Sequence, residues 1–167
     1  MVEPTALDYG KAVRQWVSLG SGLDYDREVI SSRTKDTPEP EGLYATVFRV
    51  RDTPEGKNFN SYTVDNRTIT HQSITTEWSI QWFNKGASDA ARTFQVWAMS
   101  PAGSDAAAVR GLTLYSVSDA ERLDRIDDTT YWEERVGIDV YIGIVLKFTS
   151  PSVPVINSVE VEPTLEN

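Results

Sequence analysis

The chain reads as an α+β domain, an antiparallel or mixed sheet of long strands with an amino-terminal helix and two further helices packed on one face. Three observations carry that reading. From Val136 to Phe148 the even positions Val136, Ile138, Val140, Ile142, Ile144, Leu146 and Phe148 are all large and apolar, so one face of a long strand is expected to be buried. A second run, Arg67 to Phe83, places Ile74, Thr76, Trp78, Ile80 and Trp82 on one face and Ser73, Thr75, Glu77, Ser79 and Gln81 on the other. Between and before these runs, Ala and Trp residues recur at helical spacing.

Taken in order, Thr5 is the expected cap of a first helix over about Ala6 to Leu19, with Ala6, Tyr9, Val13, Trp16 and Val17 on one face. Gly20 and Gly22 end it. At this spacing Trp16 is a core residue rather than a ligand platform. Arg27 to Ile30 suggests a short strand, and Ser31 to Gly42 holds two closely spaced prolines and reads as a loop. Leu43 to Arg51 is β-branched and aromatic and reads as a strand, followed by an expected mobile turn around Pro54 and Gly56. If Arg67 to Phe83 is continuous, its 17 residues span roughly 55 Å at about 3.3 Å each, far beyond an ordinary strand. Part of it must then leave the core, as a hairpin or arm, or bend.

Asn84-Lys85-Gly86 closes that strand. Ser88 then opens a helix lined by Ala87, Ala90, Ala91, Phe94, Trp97 and Ala98, which Pro101 stops. A short helix over Asp105 to Arg110 is expected, with Ser104 as cap and Gly111 as a left-handed terminus. Gly111 to Val117 suggests a strand. A final strand is expected in Val155 to Val161, after a Pro-Ser-Val-Pro turn, with a loose tail from about residue 163. The whole reads as one domain over residues 1–167, with no internal repeat.

Composition narrows the function. The chain has no cysteine, so disulfides and thiolate metal sites are excluded. No run approaches 18 apolar residues, which argues against a spanning helix, and the amino terminus does not read as a signal peptide. A net charge of −9 argues against electrostatic capture of nucleic acid. The charge is uneven: eight acids against three arginines leave −5 between Asp119 and Asp139, a pattern that fits a solvated face.

Signs of chemistry are sparse. His71 is the single histidine, placed in a strand with no second ligand, and reads as a structural or surface residue. No nucleophile elbow or phosphate-binding loop occurs. The pairs Asp127-Asp128 and Glu133-Glu134 are adjacent residues, which on a strand point to opposite faces and so make poor catalytic dyads. No cofactor or metal is expected. Trp78 and Trp82 share a face that would suit sugar stacking, but the same spacing fits a sheet covered by the Phe94 and Trp97 helix.

The element order, with Glu41-Gly42-Leu43-Tyr44-Ala45-Thr46-Val47-Phe48-Arg49-Val50, the long Thr and Trp strand, the Ala-rich helices, Tyr131-Trp132-Glu133-Glu134-Arg135 leading into the long apolar strand, and the closing Ile156, Val159 and Val161, resembles the neck or tail terminator proteins of tailed bacteriophages. Where relatives more often end the proline loop in Pro-Tyr, this chain has Gly42-Leu43-Tyr44. The resemblance implies a non-enzymatic virion protein forming a ring, typically of six copies. Such a ring caps the head-facing end of the tail tube, ends its polymerisation and joins it to the neck. Implied partners are other copies of the chain, the tail tube protein, neck or connector proteins, and the sheath if the tail is contractile, with no sequence-specific nucleic acid and no membrane. Assembly is expected in the host cytoplasm.

Arg49, Arg51, Trp132, Arg135 and Asp139 are the interface candidates, being charged or bulky groups at strand positions where one subunit offers no evident partner. Asp124, Asp127, Asp128, Glu133 and Glu134 are candidates for an acidic lumen that repels DNA phosphates. Alternatives are another head-to-tail joining or tube subunit, and a carbohydrate-binding accessory protein using its tryptophans.

Overall fold

A computed structural model describes residues 8–31, 39–62, 68–126 and 132–149. Helix α1 (Tyr9–Ser21) starts where Asp8 accepts a hydrogen bond from the Lys11 backbone N–H at 3.0 Å. The helix therefore begins later than the Thr5 cap suggested, because a carboxylate at the positive helix end is a stronger start signal. Thr5 itself lies outside the described residues. Gly22, at φ 71°, closes α1 in the left-handed conformation and donates to the Ser18 carbonyl. Helix α2 (Ala87–Ala98) follows Gly86, and α3 (Pro101–Val109) is capped by Ser100. The expected short helix is thus longer by a turn, and Pro101 begins it instead of only ending its predecessor. At the first helical position the missing N–H of proline costs nothing.

The strands are β1 (Val29–Ser31), β2 (Tyr44–Tyr62), β3 (Thr68–Phe83), β4 (Thr113–Val117), β5 (Glu121–Arg122), β6 (Arg125–Ile126), β7 (Trp132–Glu133) and β8 (Arg135–Thr149). The main sheet runs β1-β2-β3-β8-β4, with β5 also on β8, while β6 and β7 form a separate two-stranded ladder. Only β1 to β2 is parallel, so the sheet is mixed and the class is α+β. The short strands β5, β6 and β7 inside the acidic stretch had no alternating apolar signal. The expected strand at Val155 to Val161 lies outside the described residues.

One expectation is overturned. Pro54 and Gly56 do not make a turn: β2 continues through them to Tyr62, paired with β3 and interrupted by register shifts at Arg49/Arg51 and Glu55/Phe59. Proline is tolerated there because β1 pairs only with Ala45 to Val47, which leaves the rest of β2 without an outer neighbour among the described residues. The irregularity absorbs Gly56, which sits at φ 65°.

The three helices cover one face of the sheet and share a single apolar cluster with it. Its centre is aromatic. Phe94 meets Trp16 edge-on at 5.0 Å and Trp82 at 5.2 Å, and Trp97 lies 5.9 Å from Trp16. Each indole that this cluster buries keeps a partner: Trp16 donates to the Gly103 carbonyl at 2.9 Å and Trp82 to Ser21 Oγ at 3.1 Å. Gly20 lets α1 approach, since a Cβ there would stand 2.4 Å from the Trp97 ring.

Candidate functional site

Strands β2, β3 and β8 contain 19, 16 and 15 residues, which at about 3.3 Å per residue makes each roughly 50 to 60 Å long. The helices cover only the half nearer α2. In that half the core face holds Trp82, Ile80 and Trp78 on β3 opposite Val136, Ile138 and Val140 on β8, all buried. A polar latch marks its end: Trp78 Nε1 donates to Thr76 Oγ1 at 2.8 Å, and Thr76 donates to the Ile142 carbonyl at 3.0 Å. Ile74 and Ile144 form the last buried pair.

Beyond it the same alternation continues with no helix above it among the described residues. Ile144 is 4% exposed, whereas Leu146 is 37% and Phe148 58% exposed. The even face of Val136 to Phe148 is therefore buried over five side chains and open over two. Phe59 and Tyr62 on β2 and Val145 on β8 are also exposed. This distal part is a three-stranded arm tied by Asn60 to Thr70, by Ser61 to His71 at 2.8 Å, and by a Phe59–His71 stack at 4.5 Å. His71 is structural, as its isolation predicted.

Among the described residues no helix lies on the second sheet face. Tyr44 stacks on Phe83 at 4.8 Å, and Arg135 lies over Phe83 at 5.1 Å. Burial, then the Glu39 and Glu133 carboxylates, push the Tyr44 hydroxyl up to about 12, with Arg135 opposing. Farther along the strands, Glu77 and then burial raise the Tyr141 hydroxyl, and burial and then Glu55 raise that of Tyr115. Tyr115 folds over Gly143, where a Cβ would stand 2.5 Å from its ring.

The predicted interface residues fall into two groups. The stated reason for choosing the arginines does not hold, because each has a partner within the chain. Arg49 bridges Asp52 and lies 6.0 Å above the Trp78 ring, Arg51 pairs with Glu77 at 2.8 Å, and Arg135 donates to Gln81 Oε1. Arg135 Nε is nevertheless buried without an acceptor among the described residues. Asp139 is half-buried, and its backbone N–H donates to Ser118 Oγ at 2.9 Å. Trp132 pairs through its backbone with Ile126.

Of the acidic set, Asp124 accepts from the Arg135 backbone at 3.2 Å and pairs with Arg122 at 2.8 Å. Glu133 acts on Tyr44. Glu134 accepts from the backbone N–H groups of Gly86 and Ser88 at 3.1 and 3.0 Å, supplying the cap that Gly86 lacks at the start of α2. Asp127 and Asp128 lie outside the described residues. Trp78 and Trp82, at 5% and 0% exposed, cannot offer a stacking face to a sugar. Sequence reasoning missed the Glu134 cap, whose only signal was the absence of a capping side chain at Gly86, and it missed the distal edge of β8, whose signal was the apolar run outlasting the helices.

Strands that outrun their own helix layer and keep apolar side chains at the tip mark a structural protein that works by contact with other chains. The chain matches the family model of the phage neck terminator protein over residues 10–167, and it belongs to that family. It is thus a structural protein of the bacteriophage tail, placed at the tail-neck region of the virion. Comparison with curated proteins returns no match.

Proposed function

We propose that the chain assembles into a closed ring of about six copies that caps the head-facing end of the tail tube. The ring ends tube polymerisation and provides the surface on which the neck docks. The observation that carries this reading is the family match over residues 10–167, joined to a sheet whose distal arm has no helix over it among the described residues. Uncovered strands invite pairing with other chains, and ring closure is what limits that pairing to a fixed number. The partners are other copies, the tail tube protein, neck or connector proteins, and a sheath in a contractile tail. The work is mechanical, without a catalytic step or cofactor.

The −5 charge between Asp119 and Asp139 supports a lumen from which DNA phosphates are repelled, although Asp124 and Glu134 also hold the local structure together. Adding the purified chain to polymerising tail tube protein tests the reading. Tubes capped at one end and shortened in proportion to the amount added are expected. Tubes that lengthen by incorporating the chain would make it a tube subunit instead.

A further inference from the structure

The three-stranded arm has two free edges, and they are unlike. Past Val47 the outer edge of β2 is unpaired among the described residues, but it carries Pro54, Gly56, Lys57 and two register shifts. Proline, charge and bulges are the devices by which proteins blunt an edge against pairing. The outer edge of β8 is different. β4 leaves it at Gly143, and among the described residues no strand pairs with it over Ile144 to Thr149, although β3 pairs with it from the other side throughout. There it borders a groove of about 770 Å³ that also extends over the arm, lined by Tyr9 and Tyr115 and, on the arm, by Thr70, Gln72, Leu146 and Phe148. The Tyr9 hydroxyl lies 3.5 Å from the Val145 carbonyl at this edge.

We infer that the groove receives residues 155–161 of a second copy, which add as a strand to the free edge of β8. This rests on the ring reading above and names the contact that joins its subunits. Three observations select the occupant. The segment Val155 to Val161 alternates as a strand, and its seven residues suffice for the six of the open edge. The family match continues to residue 167, so the segment belongs to the family domain and is not an appendage. Glu160 complements Lys147, the one cation on the open edge. The ring reading makes the donor a neighbour's segment, because each copy of a ring must contact the next. Because donor segment and acceptor groove are different surfaces, the contact is head-to-tail and propagates until it closes.

The chain has no cysteine, so introduced thiols report the contact cleanly. Full-length chains carrying Leu146→Cys or Lys147→Cys, which together sample both faces of β8, are mixed with chains carrying Asn157→Cys or Val159→Cys and mildly oxidised. The mass of each mixture is recorded by light scattering. At least one pair is expected to give a covalent heterodimer in clear excess over a control pairing with Val109→Cys, an exposed position at the end of α3. Placing both thiols of that pair on one chain is expected to give a ladder of multimers under non-reducing conditions. A link formed only within one chain overturns the proposal, as does the absence of any pair above the control. Rings that form without the crosslink would remove strand exchange and leave the ring reading intact, whereas chains that never rise above monomer mass would remove both.

Discussion

The two halves of the β2-β3-β8 sheet are built from the same strands with the same alternation, yet they do different things. Near α2, Trp78, Ile80, Trp82, Val136, Ile138 and Val140 are sealed under three helices. Past Ile74 and Ile144 the alternation carries on to Leu146 and Phe148, which are exposed among the described residues. The difference teaches that a period of two specifies a strand and its faces, whereas burial depends on whether a second layer is present. Stability is therefore concentrated in the covered half, and the distal half is left for contact with other chains.

Substitutions in the two halves should separate these roles. The largest effect is expected from Trp82→Ala, which empties the centre of the aromatic cluster and should cost about 3 to 5 kcal/mol, read as a lower denaturant midpoint. Gly103→Ala should come next. Its Cβ would stand 2.1 Å from the Trp97 carbonyl, and the same glycine's carbonyl holds the Trp16 indole, so a loss of about 1 to 3 kcal/mol is expected in thermal unfolding. Glu134→Ala removes the only side-chain cap of α2 among the described residues and should cost about 1 kcal/mol by the same assay, with no loss expected from an exposed control such as Val109→Ala.

A pH test sharpens the comparison on the helix-free face. Tyr44 holds its proton up to about 12, while the unfolded chain releases it near 10. The folded state thus binds more protons above pH 10, and stability should be unaffected below that point and fall as pH rises from about 10 to 12. In Tyr44→Phe this alkaline fall should shrink, with the remainder due to Tyr115 and Tyr141, whose hydroxyls are also raised. An unchanged alkaline limb in the variant would show that Tyr44 is not the group responsible. The smallest effect on stability is expected from Phe148→Glu, at 58% exposure, which should stay within about 0.5 kcal/mol of the natural chain.

Much of this was legible in the sequence. The covered strands, the α1 and α2 faces and the core role of Trp16, Trp78 and Trp82 followed from spacing alone, because a packed layer imposes one period on its residues. The length of the Arg67 to Phe83 run announced that part of it leaves the core. The turn placed at Pro54 and Gly56 failed because local turn propensity was outweighed by pairing with β3 along an edge that tolerates proline. The partners of Arg49, Arg51 and Arg135 were hidden for a related reason. Asp52, Glu77 and Gln81 meet them through register and bulges that sequence spacing does not disclose. Glu134 was read as a lumen candidate, but the fold brings it to the start of α2, 46 residues from Ser88 along the chain.

The central claim, that the distal arm joins copies while the covered half holds the fold, is tested most directly by light scattering on the natural chain and on Phe148→Glu over one concentration series, with thermal unfolding of both. The account predicts a mass of about six times 18.7 kDa for the natural chain and a collapse toward 18.7 kDa for the variant, which still unfolds cooperatively, below the assembled natural chain by no more than assembly contributes. Equal masses for the two chains, or a monomer for the natural chain at every concentration, would contradict it.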